Sequence, residues 1–487
     1  MQDFRSFYID GSWVDPMGLD TVPRIDPTTG RNIGLVAVGS EADIDRAVAA
    51  ARRAALGYRG VSTAQRADLL RSILAEYTRR SGALADAIVE DMGAPVRFAR
   101  SAQVPAGMAH LSGAIRSLLA QDAVVVRGRT HLARDPIGVC GFITPWNWPL
   151  NQILAKVAPA LAAGCAIVLK PSEQAASSAQ VLAEIIAAAG VPRGVFNLVH
   201  GDGRTTGAAL SAHPGVDMIS ITGSVQAGVE VAAKAAPGVK RVAQELGGKS
   251  AHIIFDDDNL RTNVARGVRQ VMLNSGQSCN APTRMLVPRA RMEEVIEEAR
   301  TAASRITVGA PSDNPVMGPV AHRALFNSIQ MHIAVAIANR CRLVAGGAGR
   351  PEGLPDGFYV KPTIFANVDP KSALAQEEIF GPVLAIIGYQ DIEEAITIAN
   401  DTEYGLAAYV SGADTEAAYA VSRKLQAGQV SINGAFDFEA PFGGFKKSGN
   451  GREGGDGALD AYQEIKAIMG APPRKAPERE AGVAQST

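Results

Sequence analysis

The sequence predicts an α/β protein built on parallel sheets, and three observations lead there. From about residue 137, short apolar runs without alternation separate helical stretches. Strands of that kind are covered on both faces, as in a parallel sheet. A second series of the same kind runs from "SAHIIF", near residue 250, to about residue 430. At 487 residues the chain is also too long for one ordinary core. Two domains with a boundary near 247 to 250 are therefore expected.

The elements follow in order. "FYIDGSWV" sets Asp10 and Gly11 between two β-prone runs, a hairpin signal. Ser40 and Asp43 have capping-box spacing ahead of a helix. Residues 64 to 93 read as helical throughout, stopped by Gly93 and Pro95. The rhythm then alternates "IGVCGFI", "CAIVLKP", "GVFNLVHG", "DMISITGS" and "KRVAQELGG" as strands with helices between them. The last stretch, "APPRKAPEREAGVAQST", reads as a poorly packed tail, or as an arm that orders on another subunit.

Composition narrows the function. A net charge of −1 argues against a general electrostatic grip on nucleic acid or anionic lipid. The start lacks a basic, then apolar, secretory pattern. The most apolar window is broken by Lys156, Pro159 and Gly164, too interrupted for a membrane span. Cys140, Cys165, Cys279 and Cys341 lie far apart with no CxxC pair. That pattern suits free thiols in a reducing cytoplasm and no metal site.

Several residues have two readings. Cys279 in "NSGQSCNAP" is either a small core thiol or an exposed nucleophile at a turn. Glu245 ends a strand in "QELGGKS", as a surface ion-pair partner or as a desolvated general base. Asn147 in "TPWNWPL" either caps the next helix or donates to an oxyanion. Lys170 and Glu173 in "LKPSE" are an ion pair or ligands of vicinal hydroxyls. Gly223, Ser224 and Gly228 mark a strand-to-helix turn able to hold phosphate. The GxGxxG fingerprint is missing there. Gly201, Gly203 and Gly207 have one residue too many for it.

Taken in order, "TPWNWP", "LKPSE", "TGSVQAG", "ELGGKS", "GQSC", "EEIFGPV" and "PFGGFKKSGNGRE" resemble the aldehyde dehydrogenase superfamily over roughly residues 5 to 470. The 34-residue separation of Glu245 and Cys279 (279 − 245) matches as well. The resemblance implies a Rossmann-like cofactor domain over 1–117 and 137–247, and a catalytic α/β domain over 248–440. It also implies a β-ribbon bridging arm over 118–136 and 463–473, with a tail over 474–487. It implies that Cys279 attacks the aldehyde and that Asn147 holds the oxyanion. Glu245 then activates the hydrolytic water, while Lys156 and Glu453 help relay the proton. Glu245 also sets the chain apart from the acyl-CoA-forming members, which lack that base.

The implied cofactor is NAD rather than NADP, because a carboxylate at Glu173 repels a 2′-phosphate. Its ligands would be Ile143, Thr144, Trp146, Lys170, Ser172, Glu173, Gly203, Gly207, Gly223, Ser224, Leu246, Glu378 and Phe380. The implied pocket contains Trp148, Gln152, Ala155, Ser278, Asn280, Phe436, Phe438 and Phe442. Ala155 stands where several relatives place a bulky aromatic, which opens the space. A medium or long aliphatic, aromatic or terpenoid aldehyde is expected. The alternatives are an ω-oxo acid or heteroaryl semialdehyde, betaine aldehyde, an NAD-independent cysteine esterase, or a non-catalytic relative. The arm implies a homodimer or homotetramer.

Overall fold

In the computed structural model, which describes residues 3 to 472, two large sheets divide the chain. The expected tail, 474–487, and residue 473 of the arm lie outside the described residues.

The first sheet has five parallel strands in the spatial order Phe196–Leu198, Ala166–Pro171, Val139–Thr144, Met218–Thr222 and Arg241–Glu245. In chain order that is 3-2-1-4-5. The sequence order therefore reverses between Val139–Thr144 and Met218–Thr222, the kind of point where open α/β sheets bind ligands. All residues of these two strands are buried, which explains their unbroken apolar character. Antiparallel additions close both edges. One is the hairpin Phe7–Ile9 with Ser12–Val14, whose Asp10 and Gly11 both have positive φ. The other is Gly449–Asn450, paired to Glu245 and its neighbour.

The second sheet has six parallel strands in the order Thr363–Ala366, Val383–Tyr389, Arg284–Pro288, Ala251–Ile254, Ala407–Ser411 and Gln429–Ile432, with Arg342–Ala345 antiparallel at one edge. Val124–Arg127, Thr130–Pro136 and Gln463–Met469 form a separate three-stranded antiparallel sheet.

Local signals explain most helices. Ser40 and Asp43 close a reciprocal capping box ahead of Glu41–Tyr58. The stretch expected to be one helix from 64 to 93 is two, Thr63–Arg79 and Ser81–Met92, broken at Arg80. Its apolar spacing continues across the break, so periodicity alone hides it. The expected strand "GVFNLVHG" shortens to Phe196–Leu198. Among the described residues no helix is long and apolar enough to cross a membrane.

Candidate active site

The two sheets meet around Cys279. Glu245 is the last residue of its strand, and "LGGKS" carries the chain into the second sheet. The two glycines are a packing requirement. A Cβ on Gly247 would lie 2.3 Å from Glu378 Oε2, and one on Gly248 would lie 2.4 Å from the Cys279 carbonyl oxygen. At Gly248 the obstacle is backbone and only hydrogen fits, whereas at Gly247 a side chain would displace the Glu378 carboxylate. Gly248 N–H also donates to Glu378 Oε1 at 2.8 Å.

The segment before Cys279 is wound the wrong way. Asn274, Ser275 and Gly276 have φ of 53°, 55° and 73°. Two of them carry side chains, so the turn costs about 1–3 kcal/mol per strained residue and needs support. Buried amides provide it. Asn274 Nδ2 donates to the Asn147 carbonyl at 3.0 Å and to the Gln277 carbonyl at 3.1 Å. Gln103 Nε2 donates to Asn274 Oδ1 at 3.1 Å. Gln277 donates to the Asn274 carbonyl and accepts from Ala321 N–H at 2.8 Å.

Asn147 is buried, and its Nδ2 donates to the Gln277 carbonyl at 3.1 Å. It caps no helix: Pro149–Ala163 begins after Trp148 with no side-chain cap. Its amide is thus directed at the cysteine turn. The Trp148 indole N–H donates to Ser278 Oγ at 2.8 Å.

Glu245 is buried, and its Oε2 has no hydrogen-bond partner. Burial, reinforced by Glu453, pushes its pKa well above the usual carboxylate value, while Lys156 and Arg452 pull it back. Beside it, Lys156 is fully buried, donates to Thr222 Oγ1 at 2.7 Å and pairs with Glu453. Burial, Glu378 and Glu245 push the Cys279 thiol up to about 12. Among the described residues no histidine figures among the groups that act on this thiol.

A cradle runs along the carboxyl ends of the first sheet. Lys170 is buried, and burial lowers its pKa against Glu173 and Asp202. Ser172 Oγ accepts from Gln174 N–H and lies 3.5 Å from Glu173. Gly207 faces Lys170 and Ile143, and open space surrounds Gly203. Ser224 caps the eleven-residue helix Val225–Ala235 beside Gly223. Leu246 is buried behind it, and Thr144 Oγ1 is buried without a partner. Phe380, at φ 56°, packs edge-on to Trp146 at 5.7 Å. Burial raises Glu378 to about 7. Backbone donors at a helix start, a buried cation, an orphaned hydroxyl and two clustered aromatics form a cradle that fits a dinucleotide.

The residues expected to line a pocket fall in two groups. Trp148, Ser278 and Asn280 gather at the cysteine turn, and Gln152 lies one helical turn beyond Trp148. Asn280 accepts from Tyr409 Oη–H at 2.8 Å, and Gln152 is buried. Phe442 exchanges backbone hydrogen bonds with Glu453. Phe436 is 71% exposed and leans edge-on against Phe438 at 4.4 Å. Phe438 and Ala155 line a neighbouring cleft.

Sequence reasoning missed Asn274, Gln103 and Arg284. Arg284 is buried and donates to the carbonyls of Lys249, Ile398 and Ala399 at 2.8 to 2.9 Å. A polar residue in an apolar stretch was the only available sign of Gln103. Among the described residues no group of three or more His, Cys, Asp or Glu could hold a metal ion.

A doubly covered parallel sheet with a 3-2-1-4-5 core, facing a second sheet across a cysteine, a buried carboxyl and a directed amide, defines a two-sheet α/β protein with its ligand site at the strand ends. The aldehyde dehydrogenase family model matches residues 13–468, and the chain belongs to that family. A 3-succinoylsemialdehyde-pyridine dehydrogenase from a Pseudomonas species is 51% identical over 473 residues, covering 96% of this chain and 99% of its own. A cysteine-to-alanine mutant of aldehyde dehydrogenase C from Pseudomonas syringae, solved with NAD+ and octanal, is 48% identical. It superposes with a TM-score of 0.95 over 97% of this chain and 98% of its own. An aldehyde dehydrogenase of Mycobacterium tuberculosis in complex with NAD+ is 37% identical, with a TM-score of 0.93 over 96% and 98%. The chain is accordingly an oxidoreductase that acts on aldehydes.

Proposed function

We propose that this chain oxidises an aldehyde with an extended apolar or aromatic body to its carboxylic acid, with NAD as the acceptor. The convergence of Cys279, the Asn147 amide and the unpartnered Glu245 carboxyl supports this reading.

Cys279 sulfur adds to the aldehyde carbon, and the Asn147 side-chain amide and the Cys279 N–H donate to the oxygen that becomes negative. NAD, when bound, would supply the acceptor for the hydride that leaves that carbon. The thioester left on Cys279 is then hydrolysed. Glu245 accepts a proton from the attacking water, and its raised pKa makes it a stronger base than an ordinary carboxylate. Lys156 and Glu453 stand next to it to pass the proton outward. Glu173 and Lys170 would hold the adenosine ribose and the Ser224 turn the pyrophosphate, while Glu378, Phe380 and Trp146 would place the nicotinamide. The cysteine-hydrolase alternative lacks support, because it needs a histidine acting on the thiol.

The second reading, a heteroaryl semialdehyde dehydrogenase, is favoured by the activity named for the 51% identical relative. NADH formation across aldehydes of graded length tests the main reading, with Cys279→Ala as control. Octanal or benzaldehyde should exceed acetaldehyde and succinic semialdehyde in kcat/KM. Equal or better turnover of the two small substrates overturns it.

A further inference from the structure

An open groove is floored by Ala109, Gly113, Ala114, Ala155 and Pro159. Two helices, Val104–Ala120 and Pro149–Ala163, enclose it. Both begin at the cysteine turn. Gln103 hydrogen-bonds Asn274, and Trp148 hydrogen-bonds Ser278, which is next to Cys279. Trp148, Gln152, Ala155 and Pro159 follow at i+4, i+7 and i+11, along one helix face. Seven residues along a helix is about 10 Å. The groove therefore runs from about 10 Å beyond Trp148 at Ala155 to about 16 Å at Pro159, with Phe438 and Ser117 also in its walls.

One uncharged polar pair stands at the edge of the groove, with His110 in the lining and Asn151 behind it. His110 Nε2 lies 2.9 Å from Asn151 Oδ1. Burial lowers the pKa of His110, so the ring is neutral at pH 7. With Nε2–H donating to Oδ1, the Asn151 amino group has no hydrogen-bond partner among the described residues. If the amide is turned over, the unspent N–H is His110 Nδ1–H instead. Either way the pair keeps one free donor. The charged side chains around it do not compete. Arg116 is paired with Glu439 at 2.6 Å, Asp456 is the other acidic residue in the lining, and Lys156 and Glu453, which also act on His110, pair with each other. A substrate carboxylate would meet two carboxylates and no unpaired cation.

We propose that the His110–Asn151 pair determines specificity, by donating a hydrogen bond to an aldehyde whose far end is a neutral acceptor such as a heteroaromatic ring nitrogen or a ketone. The inference rests on the proposed attack by Cys279 and on an apolar channel leading from it. The residues act on the far end of the substrate and leave the reacting carbon to others.

The test compares kcat/KM for 5-(pyridin-3-yl)pentanal and 5-phenylpentanal, which match in length and shape. The unmodified enzyme should favour the pyridyl compound by roughly tenfold, the scale of one hydrogen bond. In Asn151→Leu and in His110→Leu/Asn151→Leu the ratio should fall to about one. The ratio is taken on one preparation, so lost folded protein cancels. A ratio near one in the unmodified enzyme, or a tenfold ratio surviving in both variants, overturns the proposal while oxidation of both compounds leaves the proposed function standing. If neither compound is oxidised while propanal is, the apolar channel itself is wrong and the inference falls with it.

Discussion

At the scale of single residues, burial sets the chemistry. A thiol held at about 12 is roughly 10⁻⁵ ionised at pH 7, so in the cofactor-free protein Cys279 is stored as a thiol. Its alkylation by iodoacetamide should keep climbing from pH 7 to pH 10. Glu378→Gln removes one of the two carboxylates that hold the thiol up, so it should move the profile to lower pH. A plateau below pH 9 in the unmodified protein would contradict this. Glu245 has the same cause with a different consequence. A carboxyl with a raised pKa is protonated at low pH and becomes a base as pH rises through that value. Steady-state turnover should therefore increase with pH through an inflection well above the ordinary carboxylate range. In Glu245→Gln the inflection should vanish and turnover should fall by about 10²–10⁴-fold. The first NADH per site should still form rapidly, because the thioester precedes the step that needs the base. Loss of that burst would place Glu245 earlier in the reaction.

At the scale of elements, the cysteine turn depends on groups far away in sequence. Arg284 begins the strand that follows it and ties the carbonyls of Ile398 and Ala399, at the end of helix Ile392–Asn400, to the carbonyl of Lys249. A cation at a helix carboxyl end also meets the negative pole of the helix. Arg284→Met should leave three carbonyls under-satisfied and cost about 3 kcal/mol. A lower urea midpoint with an unchanged slope would show it. The strands were legible because burial on both faces removes alternation, and Glu245, Cys279 and Asn147 were legible through motifs of short span. Asn274, Gln103 and Arg284 were not, because each has a partner far off in sequence: Asn147 and Gln103 for Asn274, 127 and 171 residues away, and Lys249 for Arg284, 35 residues away. The break at Arg80 and the left-handed turn at Asn274 and Ser275 were hidden too. Neither interrupts an apolar pattern, and neither needs a proline; of the residues in the turn, only Gly276 signals it.

At the scale of the whole molecule, the boundary near 247 to 250 is crossed twice. The chain passes from the first sheet to the second at Gly247 and Gly248, and returns at Gly449–Asn450 to pair with Glu245. We read the two sheets as cofactor and catalytic domains, with the site at their junction. The three-stranded sheet belongs to neither. The arm expected over 118–136 and 463–473 forms three strands, and Gln463–Met469 is an edge of that sheet. Its Ile465, Ile468 and Met469 are 65, 45 and 80% exposed. An exposed apolar edge strand with unpaired backbone groups invites pairing with another chain. We propose that a second copy covers it, giving a homodimer or homotetramer. Light scattering after size exclusion should find an oligomer, and Ile465→Lys with Met469→Lys should shift it toward monomer with a lower melting temperature. A monomeric unmodified protein at micromolar concentration would overturn this. If the double variant stays oligomeric, the contact lies elsewhere on the surface.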